Sequence, residues 1–153
     1  VRLSRAIDGE IGSLYFSPDI DLLEVLSDGT VIGYELKGER KQGRDIIAPP
    51  FYEGIDQGLA YLLNPKGAPV RSVGSIFDYV YVVHPATSEI EQMKDLVERF
   101  TPLGLATVGR QGQVEELVAP KANPFLNTAI KDYFLTNLDA FETYTTYTVN
   151  PIQ

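Results

Sequence analysis

Three residue types that together handle phosphate esters stand at two neighbouring points of the chain. Asp21 opens the apolar run Leu22-Leu23-Glu24-Val25-Leu26, and Glu35-Leu36-Lys37 closes the run that begins at Val31. Carboxylates are ligands for a hard divalent cation, and an ammonium beside them helps to orient or deprotonate water and to neutralise a phosphate. That chemistry requires both acids on one side of one pair of elements. Without a cation or a proton, two carboxylates facing each other across strands repel, so their placement asks for a cause.

The elements that must position them read as a β-hairpin. Ser27-Asp28-Gly29 separates the two runs, and a three-residue loop ending in Gly fits a type I turn closed by a left-handed glycine. The loop predicts antiparallel partners: Leu26 with Thr30, Val25 with Val31, Leu23 with Gly33, Asp21 with Glu35 and Asp19 with Lys37. Because side chains alternate, Asp19, Asp21, Glu35 and Lys37 share a face with Leu23, Val25 and Val31. The other face carries Ile20, Leu22, Leu26, Ile32, Tyr34 and Leu36, interrupted by Glu24, and is expected to be the core face. A two-residue Asp28-Gly29 loop would shift the register by one and part Asp21 from Glu35. The expected site is a Mg²⁺ or Mn²⁺ ion held by Asp21, Glu35 and the backbone carbonyl of Leu36, with Lys37 beside it. A solvated strand end with salt links across it is the plain alternative.

Two further groups lie close in sequence. Gln57-Gly58-Leu59-Ala60-Tyr61 sets an amide and a phenol four residues apart, on one face of a helix. Arg40, Lys41 and Arg44 follow Lys37, which puts four cations within eight residues. Such a run suits the lip of a groove for a phosphate backbone, or a solvated loop.

Pro18-Asp19, Asp21, Glu35-x-Lys37 and Gln57-x-x-x-Tyr61 resemble the PD-(D/E)xK nuclease superfamily, in particular its RecB-type members. The resemblance covers roughly residues 10 to 84. It implies an α/β fold with a restriction-endonuclease-like core: a mixed central β-sheet with an antiparallel hairpin, flanked by helices. It implies a Mg²⁺- or Mn²⁺-dependent deoxyribonuclease acting in DNA repair, recombination or defence. Asp21, Glu35, Lys37, Gln57 and Tyr61 would be catalytic, with Asp21 and Glu35 on the metal, Asp19 and Glu10 as reserve ligands, and Arg40, Lys41 and Arg44 on substrate. A noncatalytic module of the same fold, binding nucleic acid or a protein partner, is the alternative.

Composition bounds these readings. A chain of 153 residues is expected to form a single domain over 1–153 with a sizeable core. It has no Cys and one His, which leaves no thiol nucleophile, no Cys-ligated zinc and little room for a Ser-His-Asp triad. His84, before Pro85, reads as a capping or buried neutral histidine rather than a catalytic one. No apolar run approaches the roughly 20 residues that span a bilayer, so a cytoplasmic protein without a membrane partner is expected. The net charge of −8 opposes phosphate binding by the molecule as a whole. It suits a basic edge on an acidic body, working with a protein partner or as a homo-oligomer.

The remaining elements follow from periodicity. Residues 1–12 read as the tail of a helix and residues 38–50 as a polar loop. A helix is expected from Phe51 to Leu63, and a central strand covered on both faces from Ile76 to Val83. Thr87-Ser88 with Glu91 reads as a capping box before a helix that buries Ile90, Met93, Leu96, Val97 and Phe100. Leu103–Val108 and Val114–Val118 read as a hairpin, and the pattern from Pro124 as a helix. The alternation of Thr143 to Thr148 suits an edge strand.

Overall fold

The computed structural model describes residues 5–7, 14–16, 20–63, 74–86 and 90–136. Strands β1 (Arg5–Ile7) and β2 (Leu14–Phe16) pair antiparallel. They precede β3 (Leu22–Val25), β4 (Val31–Leu36), the short strands β5 (Arg40–Gln42) and β6 (Asp45–Ile47), and helix α1 (Ile55–Leu63). Then come β7 (Tyr79–Pro85), α2 (Glu91–Phe100), β8 (Gly104–Val108), β9 (Val114–Val118) and α3 (Thr128–Thr136). The central sheet has the order β3-β4-β7-β8-β9. It is mixed, with antiparallel hairpins at both edges and parallel β4-β7 and β7-β8 pairs at its centre. The chain is therefore an α/β protein.

The first hairpin adopts the register that a three-residue loop requires, with Val25 facing Val31 and Leu23 facing Gly33. Gly29 takes φ 87°, open to glycine at no steric cost. The Leu26 amide donates to the Thr30 carbonyl at 2.8 Å, and the Thr30 amide to Asp28 Oδ1 at 2.9 Å. The loop is thus closed by its own residues.

Which face of that hairpin is buried is the reverse of the expectation. Val31, Gly33 and Glu35 point into the core, whereas Leu22 and Leu36 are 43% and 47% exposed. The cause lies in the connections. The chain crosses from β4 to β7 and from β7 to β8 in the same direction, and right-handed crossovers then lay both intervening helices on one face. Ile55 and Leu62 of α1, Met93 and Val97 of α2, and Ile130 and Phe134 of α3 share one core cluster with Val31, Val80, Val82 and Leu105. Ile20 precedes the strand, where alternation no longer applies, and it packs across Gly33: a Cβ there would stand 2.4 Å from Ile20 Cδ1 and 3.0 Å from the Phe77 ring. Gly33→Val is therefore expected to destabilise the fold by about 1–3 kcal/mol through overpacking. Gly38→Ala, with nothing within 4 Å of the added carbon, is the matched control in thermal unfolding.

β7 is central as expected, and its face away from the helices is covered only in part by the described residues, with Val83 buried there. Tyr79 and Tyr81 are half-buried on the side away from the helices, and the Tyr81 ring stacks on Tyr34 at 5.4 Å. Asp78, just before β7, ties three elements together. Its Oδ2 accepts from the Val31 amide at 2.8 Å and from Lys131 Nζ of α3 at 2.7 Å. This anchor helps hold β4 level with β7, so that Glu35 lies beside Val82.

Other expectations are corrected. Arg5–Ile7 is strand and not helix; Gly9 and Gly12, each costing a helix about 1 kcal/mol, weaken the helical alternative. Residues 40–47 form a hairpin rather than a loop, turned by Gly43 at φ 66°. α1 begins at Ile55, after a turn over 51–54. Phe100 is 76% exposed although it continues the α2 stripe. The N-cap of α2 is Ile90, with no side-chain cap bond. Thr87, Ser88 and the segment Thr143 to Thr148 lie outside the described residues.

Candidate metal and phosphate site

β4 delivers Glu35 to the buried face at the C-terminal end of the strand, with 4% of its surface exposed. Lys37 lies one residue past the strand, its amide donating to the Val83 carbonyl at 2.8 Å, so the ladder to β7 still fixes its backbone. The ammonium sits 3.0 Å from Glu35 Oε1 and also donates to Gln57 Oε1. The Lys37 side chain is only 15% exposed. Its stem is covered by Gly54, where a Cβ would stand 2.9 Å from Lys37 Cε and 3.0 Å from Val82 Cγ1. Gly54 has φ 93°, so the turn that starts α1 requires glycine on both counts.

From α1, Gln57 and Tyr61 reach the same corner. Gln57 holds the ammonium, and Tyr61, 4% exposed, contributes a hydrogen bond to the Glu35 carboxylate. The Tyr61 ring meets Phe77 edge-to-face at 6.1 Å, which sets its direction. Asp21 stands at the exposed mouth, its Oδ2 accepting from the Leu36 amide at 2.8 Å. The structure therefore brings together Asp21, Glu35, Lys37, Gln57 and Tyr61.

Burial pushes the Glu35 carboxyl above its ordinary range, and the Asp21 charge adds to this, while Lys37 and Tyr61 pull the other way. Glu35 Oε2 is buried without a hydrogen-bond partner. So is His84 Nδ1, two residues along from the strand partner of Glu35. A buried polar atom left unpaired calls for a ligand, a water or a function.

His84 is wholly buried, and its Nε2 meets the Glu53 carbonyl at 2.8 Å. A carbonyl only accepts, so Nε2 carries the hydrogen and Nδ1 is the bare nitrogen of a neutral ring. Burial lowers its pKa, and Lys37 nearby adds to the effect. The unfolded chain then binds a proton that the folded chain refuses, so stability falls as pH drops below about 6.5, by at most about 1.4 kcal/mol per pH unit. As the chain has one histidine, its single C2–H resonance reports this directly. The midpoint is expected below that of a free imidazole.

Asp21 and Glu35 offer carboxylate oxygens and Leu36 a carbonyl. Among the described residues no group of three or more His, Cys, Asp or Glu side chains is placed to hold a metal. Two carboxylates with a backbone oxygen suit Mg²⁺, which keeps several waters of its own, better than a metal needing a full protein cage. The unpaired Glu35 Oε2 fits such a ligand. Asp19 and Glu10 lie outside the described residues.

The basic segment is more ordered than its composition implied. Arg40 forms an ion pair with Glu53, which pins the β5–β6 hairpin to the turn before α1, while Lys41 and Arg44 are exposed. Sequence reasoning missed the 51–54 turn and its link to His84. Gly54 next to the helix start was the available signal. No helix among the described residues is long and apolar enough to cross a membrane. No protein-family model, curated protein or solved structure matches the chain.

Proposed function

We propose that the chain is a metal-dependent nuclease with a restriction-endonuclease-like core, hydrolysing phosphodiester bonds of DNA with Mg²⁺ or Mn²⁺ in the cytoplasm. The observation that carries this reading is the buried, unpaired Glu35 Oε2 in a corner shared with Asp21, Lys37, Gln57 and Tyr61. Asp21, Glu35 and the Leu36 carbonyl would hold the cation, which when bound supplies Lewis-acid polarisation of the phosphate. Lys37 places a positive charge beside the scissile group, and Gln57 fixes the direction of its ammonium. Tyr61 and Lys37 hold the Glu35 carboxylate in place. Val82 and the Gly54 turn pack against the Lys37 stem on the inner side of the site.

Cleavage of labelled single-stranded and branched DNA in Mn²⁺, abolished by a chelator, is the expected result; failure to cut either substrate would overturn the reading. The net charge of −8 favours one competitor, a noncatalytic module of the same fold that binds a partner. It predicts no cleavage under any metal. The basic hairpin gives a separate expectation. Replacing Arg40, Lys41 and Arg44 together by Ala should make the dependence of log K on log salt shallower by about 2–3, since each phosphate contact contributes a slope of about 0.7–0.9. Anisotropy titrations of labelled DNA at several salt concentrations measure it.

A further inference from the structure

At the C-terminal ends of β4, β7 and β8 the sheet opens into a cavity of about 730 Å³. These three strands run parallel, and the crevice beyond the carboxyl ends of parallel strands is where open α/β sheets take their ligands. The floor is apolar: Leu36, Val83 and Val108 line it, and Leu36 and Val108 are 47% and 36% exposed. The polar lining comes from Lys37, Glu39, Arg110, Gln111 and Gln113. Lys37 lines this cavity and also pairs with Glu35 at 3.0 Å, so the cavity adjoins the Glu35 site at the end of β4.

Arg110 is not carried on a slack loop. The Gly109 amide donates to the Gln113 carbonyl at 2.8 Å, the Gly112 amide to the Gly109 carbonyl at 2.9 Å, and the Gln111 amide to Gln113 Oε1 at 3.1 Å. Gly112 at φ 82° completes the turn. The β8–β9 tip thus fixes the backbone of Arg110, an exposed residue that lines the cavity.

An apolar floor, a polar rim and this volume match pockets that enclose most of a small organic ligand, which run from about 300 to 1,000 Å³. Beside a site for phosphate chemistry, the ligand part with an apolar face and polar edges is a nucleobase with its sugar. A base stacked and paired inside a duplex cannot enter a concave site; one that is unpaired can. We propose that the cavity receives the base and sugar of one unpaired nucleotide adjoining the scissile phosphate, with Arg110 on a neighbouring phosphate. The substrate is then a single strand or a frayed end. This rests on the nuclease reading.

Binding and cleavage are measured separately. With EDTA present and at low salt, a fluorescein-labelled oligothymidylate and a blunt duplex are titrated with the wild type, Arg110→Ala and Ala86→Trp. Ala86 lines the cavity from an exposed position, so the indole should fill the space without disturbing the core; thermal unfolding checks this. The single strand is expected to bind more tightly than the duplex, and each substitution to weaken it about tenfold. Tighter duplex binding, no single-strand binding by the wild type, or equal binding by all three proteins would each overturn the proposal. The same samples are then given labelled single strand and Mn²⁺. Cleavage without any effect of the two substitutions on binding removes the cavity proposal and leaves the nuclease; the expected binding pattern without cleavage removes the nuclease and leaves a strand-binding cavity.

Discussion

Glu35→Gln is expected to lower Mn²⁺-supported DNA cleavage by about 10³-fold or more without loosening the fold. A carboxylate that helps hold the metal gives access to several kcal/mol of charge stabilisation at the phosphate, and each 1.36 kcal/mol is about tenfold in rate. Glutamine keeps the shape and still accepts a hydrogen bond from Lys37, but it gives up the anionic oxygen. Stability should respond in the opposite sense. The Glu35 carboxyl is held above its ordinary range, chiefly by burial, so its ionised form costs the metal-free protein stability at neutral pH and the cost disappears as pH falls through the raised pKa to the unfolded one. Glutamine removes that cost. A melting temperature that is equal or higher at pH 7, with cleavage gone, is the expected combination; a large fall in melting temperature would mean that Glu35 serves the fold.

Lys37→Met has the second largest expected effect, and it acts on both rate and stability. Loss of a positioned group that assists proton transfer or charge development costs about 10²–10⁴-fold in cleavage. The pair it forms with Glu35 is well buried, with side-chain exposures of 15% and 5%. Removing one partner of such a pair leaves an uncompensated charge and costs about 3–5 kcal/mol. Since that cost belongs to the Glu35 anion, it should fade as acid protonates the carboxyl. It should also be relieved in the double variant Glu35→Gln/Lys37→Met, which recovers stability without recovering cleavage. Denaturant unfolding across pH, run beside a cleavage assay, separates the two roles. Equal destabilisation at acid and neutral pH would assign the loss to packing of the lysine stem against Gly54.

The parts of this architecture that could be read from sequence are those written in local rules. Ser27-Asp28-Gly29 set the loop length and hence the pairing of Leu23 with Gly33, which in turn aligned Asp21 with the Glu35 strand. The four-residue step from Gln57 to Tyr61 placed both on one side of α1, and both meet the Glu35–Lys37 pair. The buried face of the hairpin was not legible. Ile32, Tyr34 and Leu36 are more apolar than Val31, Gly33 and Glu35, yet the helices cover the second set because the direction of the two crossovers decides it. Residue type alone does not carry that information. The β5–β6 hairpin was read as a loop because strands of three exposed residues, Arg40–Gln42 and Asp45–Ile47, show no alternation to detect. The bond from His84 to the Glu53 carbonyl joins residues 31 apart, beyond the reach of any motif.

Whether Asp21 and Glu35 form one cation site at the end of β4 is decided by calorimetric titration of Mn²⁺ into the metal-free protein, with Asp21→Ala and Glu35→Gln alongside. One Mn²⁺ is expected to bind per wild-type chain and none to either variant, with all three proteins folded. Absence of binding to the wild type, or equal binding by all three, would contradict such a site.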